Sequence, residues 1–188
     1  MEAFLNLDYS IFSAINSLAG QNQILDYLAI FCAKYLIWII LSAGIGWWMG
    51  LHKTRTSKNW PLEGKKKWLI FGNLALPVVV AMFINQVLGF IKFRERPLVN
   101  LQINKLINRP LTEKSFPSDH TTIVFALSMA IFFYNKKLGS LLLFLSLLVG
   151  LSRIYTGVHY PLDVYGGAIV GILTSIIFYL ILKPKKKL

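Results

Sequence analysis

Long apolar runs alternate with short charged breaks along this chain, and most runs have the length of a membrane crossing. In residues 4–20, Phe4, Leu5, Ile11, Phe12, Ile15 and Leu18 recur at mostly three- and four-residue spacing with polar residues between them. That pattern predicts an amphipathic helix lying in the membrane interface, confined to residues 1–22. Asp26 and Lys34 interrupt the next run. A charge at mid-bilayer costs about 2.5–3.5 kcal/mol, so the first crossing is expected at Tyr35–Leu51. Lys34 then snorkels outward, and Trp47 and Trp48 reach the far interface. Residues 52–67 read as a basic loop. Further spans are expected at Trp68–Ile91, Ser118–Tyr134, Leu138–Ile154 and Pro161–Leu182, while 92–117 is too polar to cross. Asn73, Pro77, Asn85 and Gln86 in the second span should face other helices rather than lipid.

Composition agrees. Of 188 residues, 55% are hydrophobic and 15% charged, against about 25% charged in soluble proteins. The mean hydropathy is +0.57. A disordered chain and an ordinary soluble domain are excluded. The expected fold class is all-α, a polytopic membrane helix bundle of about five or six spans plus the interfacial helix, as a single domain over residues 1–188. The net charge of +12 falls mostly between apolar runs, which points to topology and anionic head groups rather than to nucleic acid. One cysteine, Cys32, leaves no internal disulfide framework. No basic stretch precedes the first apolar run, so no cleavable signal peptide is expected.

Alternating the spans puts three basic segments on one side. They are Lys53–Lys67, the Lys136–Lys137 turn and the lysine-rich tail Lys183–Lys187. By the positive-inside rule that side, with the C-terminus, is cytoplasmic. The 92–117 loop lies outside although it is itself basic, through Lys92, Arg94, Arg96, Lys105, Arg109 and Lys114. An anionic substrate would give those outer charges a use.

Three clusters fall at the outer ends of spans: Arg96-Pro97; Pro117-Ser118-Asp119-His120; and Ser152-Arg153 with His159 and Asp163 beyond it. Pro161 suits the first position of the last helix. It places Asp163 in the first turn, where the carboxylate can reach back to His159, set its tautomer and leave the other nitrogen to attack. Arg96 and Arg153 are forks for phosphate oxygens. Ser118 reads as a helix cap whose neighbouring N–H groups suit an anion, and His120, just inside that helix, can protonate a leaving oxygen. Each residue alone also has an ordinary role, as an interfacial anchor, a loop charge or a helix-start acid. Together they suit phosphoryl transfer, with a bell-shaped pH profile from one neutral and one protonated imidazole. A metal would need three or four ligands in one place, and only His120, His159, Asp163 and Asp119 are on offer. No metal and no cofactor are expected.

The clusters resemble the type 2 phosphatidic-acid phosphatase superfamily of membrane lipid phosphatases, over about residues 65–182. Its third motif (Ser-Arg, five residues, His, three residues, Asp) is matched by Ser152, Arg153, His159 and Asp163. Its second, Pro-Ser-Gly-His, is matched with Asp119 at the glycine. Its first, Lys, six residues, Arg-Pro, is matched only at Arg96-Pro97, because Gly89 stands at the lysine. The last two departures are similar to the bacitracin-resistance branch, the bacterial undecaprenyl-diphosphate phosphatases. The resemblance implies that His159 is a nucleophile forming a phosphohistidine, that Asp163 orients it and that His120 protonates the leaving group. Arg96, Arg153 and Ser118 would hold phosphate, with Lys92 or Arg94 in place of the missing lysine. Asp119 would need a cationic partner beside an anion. The implied activity is hydrolysis of undecaprenyl diphosphate at the outer face of a bacterial cytoplasmic membrane, recycling the cell-wall carrier lipid. The alternatives are a phosphatidylglycerophosphate or phosphatidic-acid phosphatase, or a non-enzymatic binder of anionic lipids. The tail would enter laterally between spans, with Asn85 and Gln86 as candidates for its lining.

Overall fold

The computed structural model describes residues 2–50, 64–100, 103–108 and 114–182. Among them every regular element is helical: α1 (Glu2–Asn16), α2 (Gln23–Lys34), α3 (Leu36–Gly50), α4 (Gly64–Ile91), α5 (Pro97–Asn100), α6 (Asp119–Phe132), α7 (Lys136–Tyr155) and α8 (Pro161–Leu182). Three helices, α4, α7 and α8, are long and apolar enough to cross a membrane; α2 and α3, bent by 46°, pass the same test together. The protein is therefore an integral membrane protein. Most of the basic residues behind the orientation argument lie in 52–63 and 183–187, outside the described residues.

At the centre stands α6, packed against α3, α4, α7 and α8. It has only 14 residues, about 21 Å at 1.5 Å per residue, short of a bilayer core. It needs no lipid contact, because Val124, Phe125, Leu127, Ala130 and Ile131 are all buried in protein. Small residues on α8 let the two backbones close. A Cβ at Gly171 would lie 2.5 Å from the Thr122 carbonyl oxygen, and one turn on Ser175 Oγ donates to the Ala126 carbonyl at 2.6 Å. A small-residue stripe of this kind is how helices gain contact where no hydrophobic effect drives them together.

The outward faces are apolar, with Phe83, Phe90 and Ile181 exposed as lipid-facing side chains. At one end Trp48 packs on Trp68 and Phe71, and Trp47 on Tyr134, gathering aromatic rings from α3, α4 and the turn after α6. The ends of α4, α6, α7 and α8 that carry the motifs meet at the opposite end.

Residues 23–34, left out of the crossing by the sequence reading, form a helix that has the length and hydropathy of a span only together with α3, across the 46° bend. Their charges are placed at its ends: Asp26 in the first turn accepts from the Gly20 N–H and the Tyr155 hydroxyl, and Lys34 closes the last turn. Helix α1 forms but ends at Asn16, short of the residues 1–22 expected, with Leu5 and Ile11 turned outward and Leu18 exposed in the turn beyond it. Its inward stripe is Asp8, Phe12 and Asn16, all buried, and two of the three are polar. Asn16 donates to the carbonyls of Asn104 and Tyr155, which pins the loop before α6 to α7. In α4, Asn73, Pro77 and Asn85 are buried as expected, whereas Gln86 is exposed.

Candidate active site

The turn between α7 and α8 brings the third cluster together. Gly157, at φ +78°, takes the left-handed conformation that ends α7. Val158 and His159 then fold back, both N–H groups donating to the Arg153 carbonyl. Pro161 opens α8, and Asp163 Oδ2 accepts from the Tyr160 N–H at 2.8 Å, an N3 acid closing on the residue before the helix. The Ser118 N–H donates to the Asp163 carbonyl at 3.0 Å, so the start of α6 is fastened to the first turn of α8.

Asp163 is fully buried. Oδ1 accepts from Arg94 Nη1 at 3.0 Å, and Oδ2 accepts from the Ser115 hydroxyl as well as from Tyr160. Its contact with the histidine is looser than the four-residue spacing suggests. Oδ2 stands 3.7 Å from His159 Nδ1, beyond hydrogen-bond length, and Nδ1 is buried without a hydrogen-bond partner. The carboxylate faces Nδ1 and leaves Nε2 as the nitrogen toward the cavity. Burial holds the His159 pKa down at about 4; the Asp163 carboxylate opposes that, while the Arg153 and Arg96 guanidiniums reinforce it. His159 is thus a neutral imidazole at neutral pH.

His159 opens onto a cavity of about 380 Å³ that His120, Arg96, Lys114 and Asp119 also line, with Gln86 and Pro117 at its wall. Two imidazoles from separate helix ends therefore share one small polar space. Arg96 is buried and donates to the Val158 carbonyl at 3.3 Å. Arg153, the largest fully buried side chain among the described residues, donates to the Ala33 carbonyl at 3.2 Å. Ser118 occupies the N-cap position, but its hydroxyl makes no cap; it accepts from Thr121 Oγ1 at 3.1 Å. Asp119 has the cationic partner it needs: Oδ1 accepts from Lys114 Nζ at 2.8 Å and from Asn85 Nδ2 at 3.0 Å. Among the described residues no group of three or more His, Cys, Asp or Glu is placed to hold a metal ion.

Residues 70–187 match the PAP2 superfamily. The chain belongs to that superfamily. Among PAP2 relatives, the protein named bacitracin transport permease protein BcrC, of Bacillus licheniformis, is 34% identical, over 94% of this chain and 81% of its own length. The one named undecaprenyl-diphosphatase BcrC, of Bacillus subtilis, is 33% identical over 92% of this chain and 83% of its own. A solved PAP2-type phosphatidylglycerolphosphate phosphatase of Bacillus subtilis superposes with a TM-score of 0.70 at 22% identity, covering 100% of this chain and 90% of that one, and so shares the fold.

Two site features went unseen in the sequence. Lys92, exposed at the end of α4, does not line the cavity, and Arg94 is turned to Asp163 and Asp8 instead. The cation that joins Arg96 at the cavity is Lys114, from the loop before α6. Only its place five residues before Asp119 hinted at this. Nothing in the sequence pointed to Asp8.

Proposed function

We propose that the protein is a membrane lipid phosphatase that hydrolyses undecaprenyl diphosphate to undecaprenyl phosphate and inorganic phosphate. The observation that carries this reading is the shared cavity, in which neutral His159, backed by Asp163, and His120 stand with Arg96. His159 Nε2 attacks the terminal phosphorus. The bond to the bridging oxygen breaks, and His120 gives its proton to the departing lipid phosphate. Water then attacks the phosphohistidine with His120 as base, releasing phosphate and restoring both imidazoles. Arg96, Arg153 and the N–H groups at the start of α6 carry the charge of the transferring group, and Ser118 is a further phosphate ligand. That set of charges needs no metal. The name of the Bacillus subtilis relative, undecaprenyl-diphosphatase, supports the substrate. A mere transporter or binder has no use for a buried carboxylate behind one of two imidazoles.

The site faces outward in this reading, with the C-terminus cytoplasmic, on the strength of the basic segments 53–67 and 183–187. Such an enzyme returns the carrier lipid to cell-wall synthesis. The test is phosphate release from undecaprenyl diphosphate by purified protein in detergent, with acid-labile labelling of the wild type by a terminal ³²P. Release without labelling, or an undiminished rate in His159→Ala, would refute it.

A further inference from the structure

The polar cavity adjoins a wider groove of about 620 Å³ lined by Val87, Phe90 and Phe93, and among the described residues only Gln86 and Lys114 line both. Phe90 is 91% exposed, so the groove opens on the side that faces lipid. Lys114 stands where a charged head group and an apolar tail would meet. Its route there depends on Gly89, which is buried on α4. The lysine stem lies across that glycine, and a Cβ there would overlap Lys114 Cδ and lie 3.0 Å from Cε and 3.3 Å from the Phe116 carbonyl oxygen. Nζ then reaches Asp119 Oδ1 at 2.8 Å and the Pro117 carbonyl at 3.3 Å. The ammonium is thus delivered to the cavity by a loop and a gap in a helix, and is parked on a carboxylate.

We propose that Lys114 binds the phosphate that stays on the lipid, and so selects diphosphates over single phosphates. This rests on the diphosphatase reading above. The attacked phosphate sits with His159 and Arg96, and the tail lies along Phe90 and Phe93. The inner phosphate then falls beside Lys114, the cation common to both spaces. As the bridging P–O bond breaks, negative charge grows on that inner phosphate, and the ammonium stabilises it. Asp119 holds the ammonium in place between turnovers. Gly89 is a positioning residue whose role is to leave the lysine its path.

Calorimetry on the purified protein in detergent, with methylenediphosphonate and orthophosphate as probes, tests this without requiring turnover. Lys114→Ala should weaken methylenediphosphonate about 10–100-fold, the worth of a charge-assisted contact, and orthophosphate by less than about threefold. It should lower kcat/KM for undecaprenyl diphosphate by a similar 10–100-fold. Gly89→Ala should reproduce the selective loss with the lysine intact, yet add less than about twofold to Lys114→Ala in the double variant. Equal weakening of both probes, or of neither, overturns the assignment. Additive losses overturn the role of Gly89. Unfolding temperatures of each variant separate misfolding from lost binding. Absence of turnover in the wild type would count against the diphosphatase reading, while the two probes still decide the role of Lys114.

Discussion

Asp8 in the first helix and Asp163 in the last are bound to opposite nitrogens of one guanidinium. Arg94 gives Nη2 to Asp8 and Nη1 to Asp163, and its charged plane lies 3.9 Å from the centre of the Tyr160 ring. The second oxygen of Asp8 accepts the Leu162 N–H at 2.8 Å. The paired carboxylates raise the pKa of Arg94 against the effect of its burial. Helix α1 is therefore tied to the site: through Arg94 it holds the carboxylate behind His159.

Removing Asp8 should accordingly reach the chemistry. Asp8→Ala is expected to cost about 1–3 kcal/mol, the usual penalty for leaving a buried charged donor short of a partner. It should also lower kcat about tenfold with KM little changed, because Asp163 loses its fixed position rather than the substrate a contact. Thermal unfolding and steady-state kinetics on one preparation check both. A rise in KM at constant kcat would place Asp8 in substrate binding instead.

The two histidines should fail differently from a structural pair. His120→Ala should reduce kcat about 10²–10⁴-fold, the usual worth of a positioned acid, while His159→Ala abolishes phosphoenzyme labelling. Phosphate release and ³²P trapping are the measurements. Labelled His159→Ala protein would move the nucleophile elsewhere.

The acid limb of the pH profile should lie low. With the His159 pKa held down at about 4, the attacking imidazole stays neutral until pH falls toward 4, rather than protonating near the ordinary 6.5. Asp163 pulls that pKa upward, so Asp163→Asn should move the limb lower still while slowing the reaction. Stability follows with a definite sign. Between about pH 6.5 and 4 the unfolded chain takes up a proton at this histidine that the folded one refuses, so stability falls as pH drops through that window. A profile of kcat/KM from pH 3.5 to 8 decides the first point, and a limb near 6.5 contradicts it.

The contact between α6 and α8 should be intolerant of one methyl group. A Cβ at Gly171 would meet backbone, the Thr122 carbonyl oxygen at 2.5 Å and the Ala126 nitrogen at 2.8 Å, whereas nothing lies within 4 Å of one at Gly46. Gly171→Ala should cost about 1–3 kcal/mol, while Gly46→Ala is neutral or slightly stabilising. Thermal unfolding of the two variants compares them directly.

Chelation should leave turnover unchanged, since in the proposed mechanism Arg96, Arg153 and Lys114 supply the positive charge that a metal would otherwise bring. Phosphate release measured with and without EDTA is the check, and loss restored by a divalent cation would contradict it.

Most of the helices and most of the residues that meet at the cavity could be read from residue order. Apolar runs broken by charges foretell α4, α7 and α8, because a crossing is a local matter of length and hydropathy. Spacing foretells His159 and Asp163 as neighbours, because a turn and a helix start set their separation. Three things could not be read. Helix α6 is too short to span alone and is sheltered by its neighbours; the His159–Asp163 contact is loosened because Ser115 and the Tyr160 N–H occupy the same carboxylate oxygen; and the charge missing at Gly89 is supplied from beyond it.

Local order along the chain thus determined which segments are apolar enough to enter the membrane and which side chains gather at one end of the bundle, since periodicity and spacing act over a few residues. Packing alone decided which cation reaches the cavity and what holds the buried carboxylate. Asp8, Arg94, Lys114 and Asp163 meet only once distant helices have closed on one another, and no interval in the sequence encodes that distance.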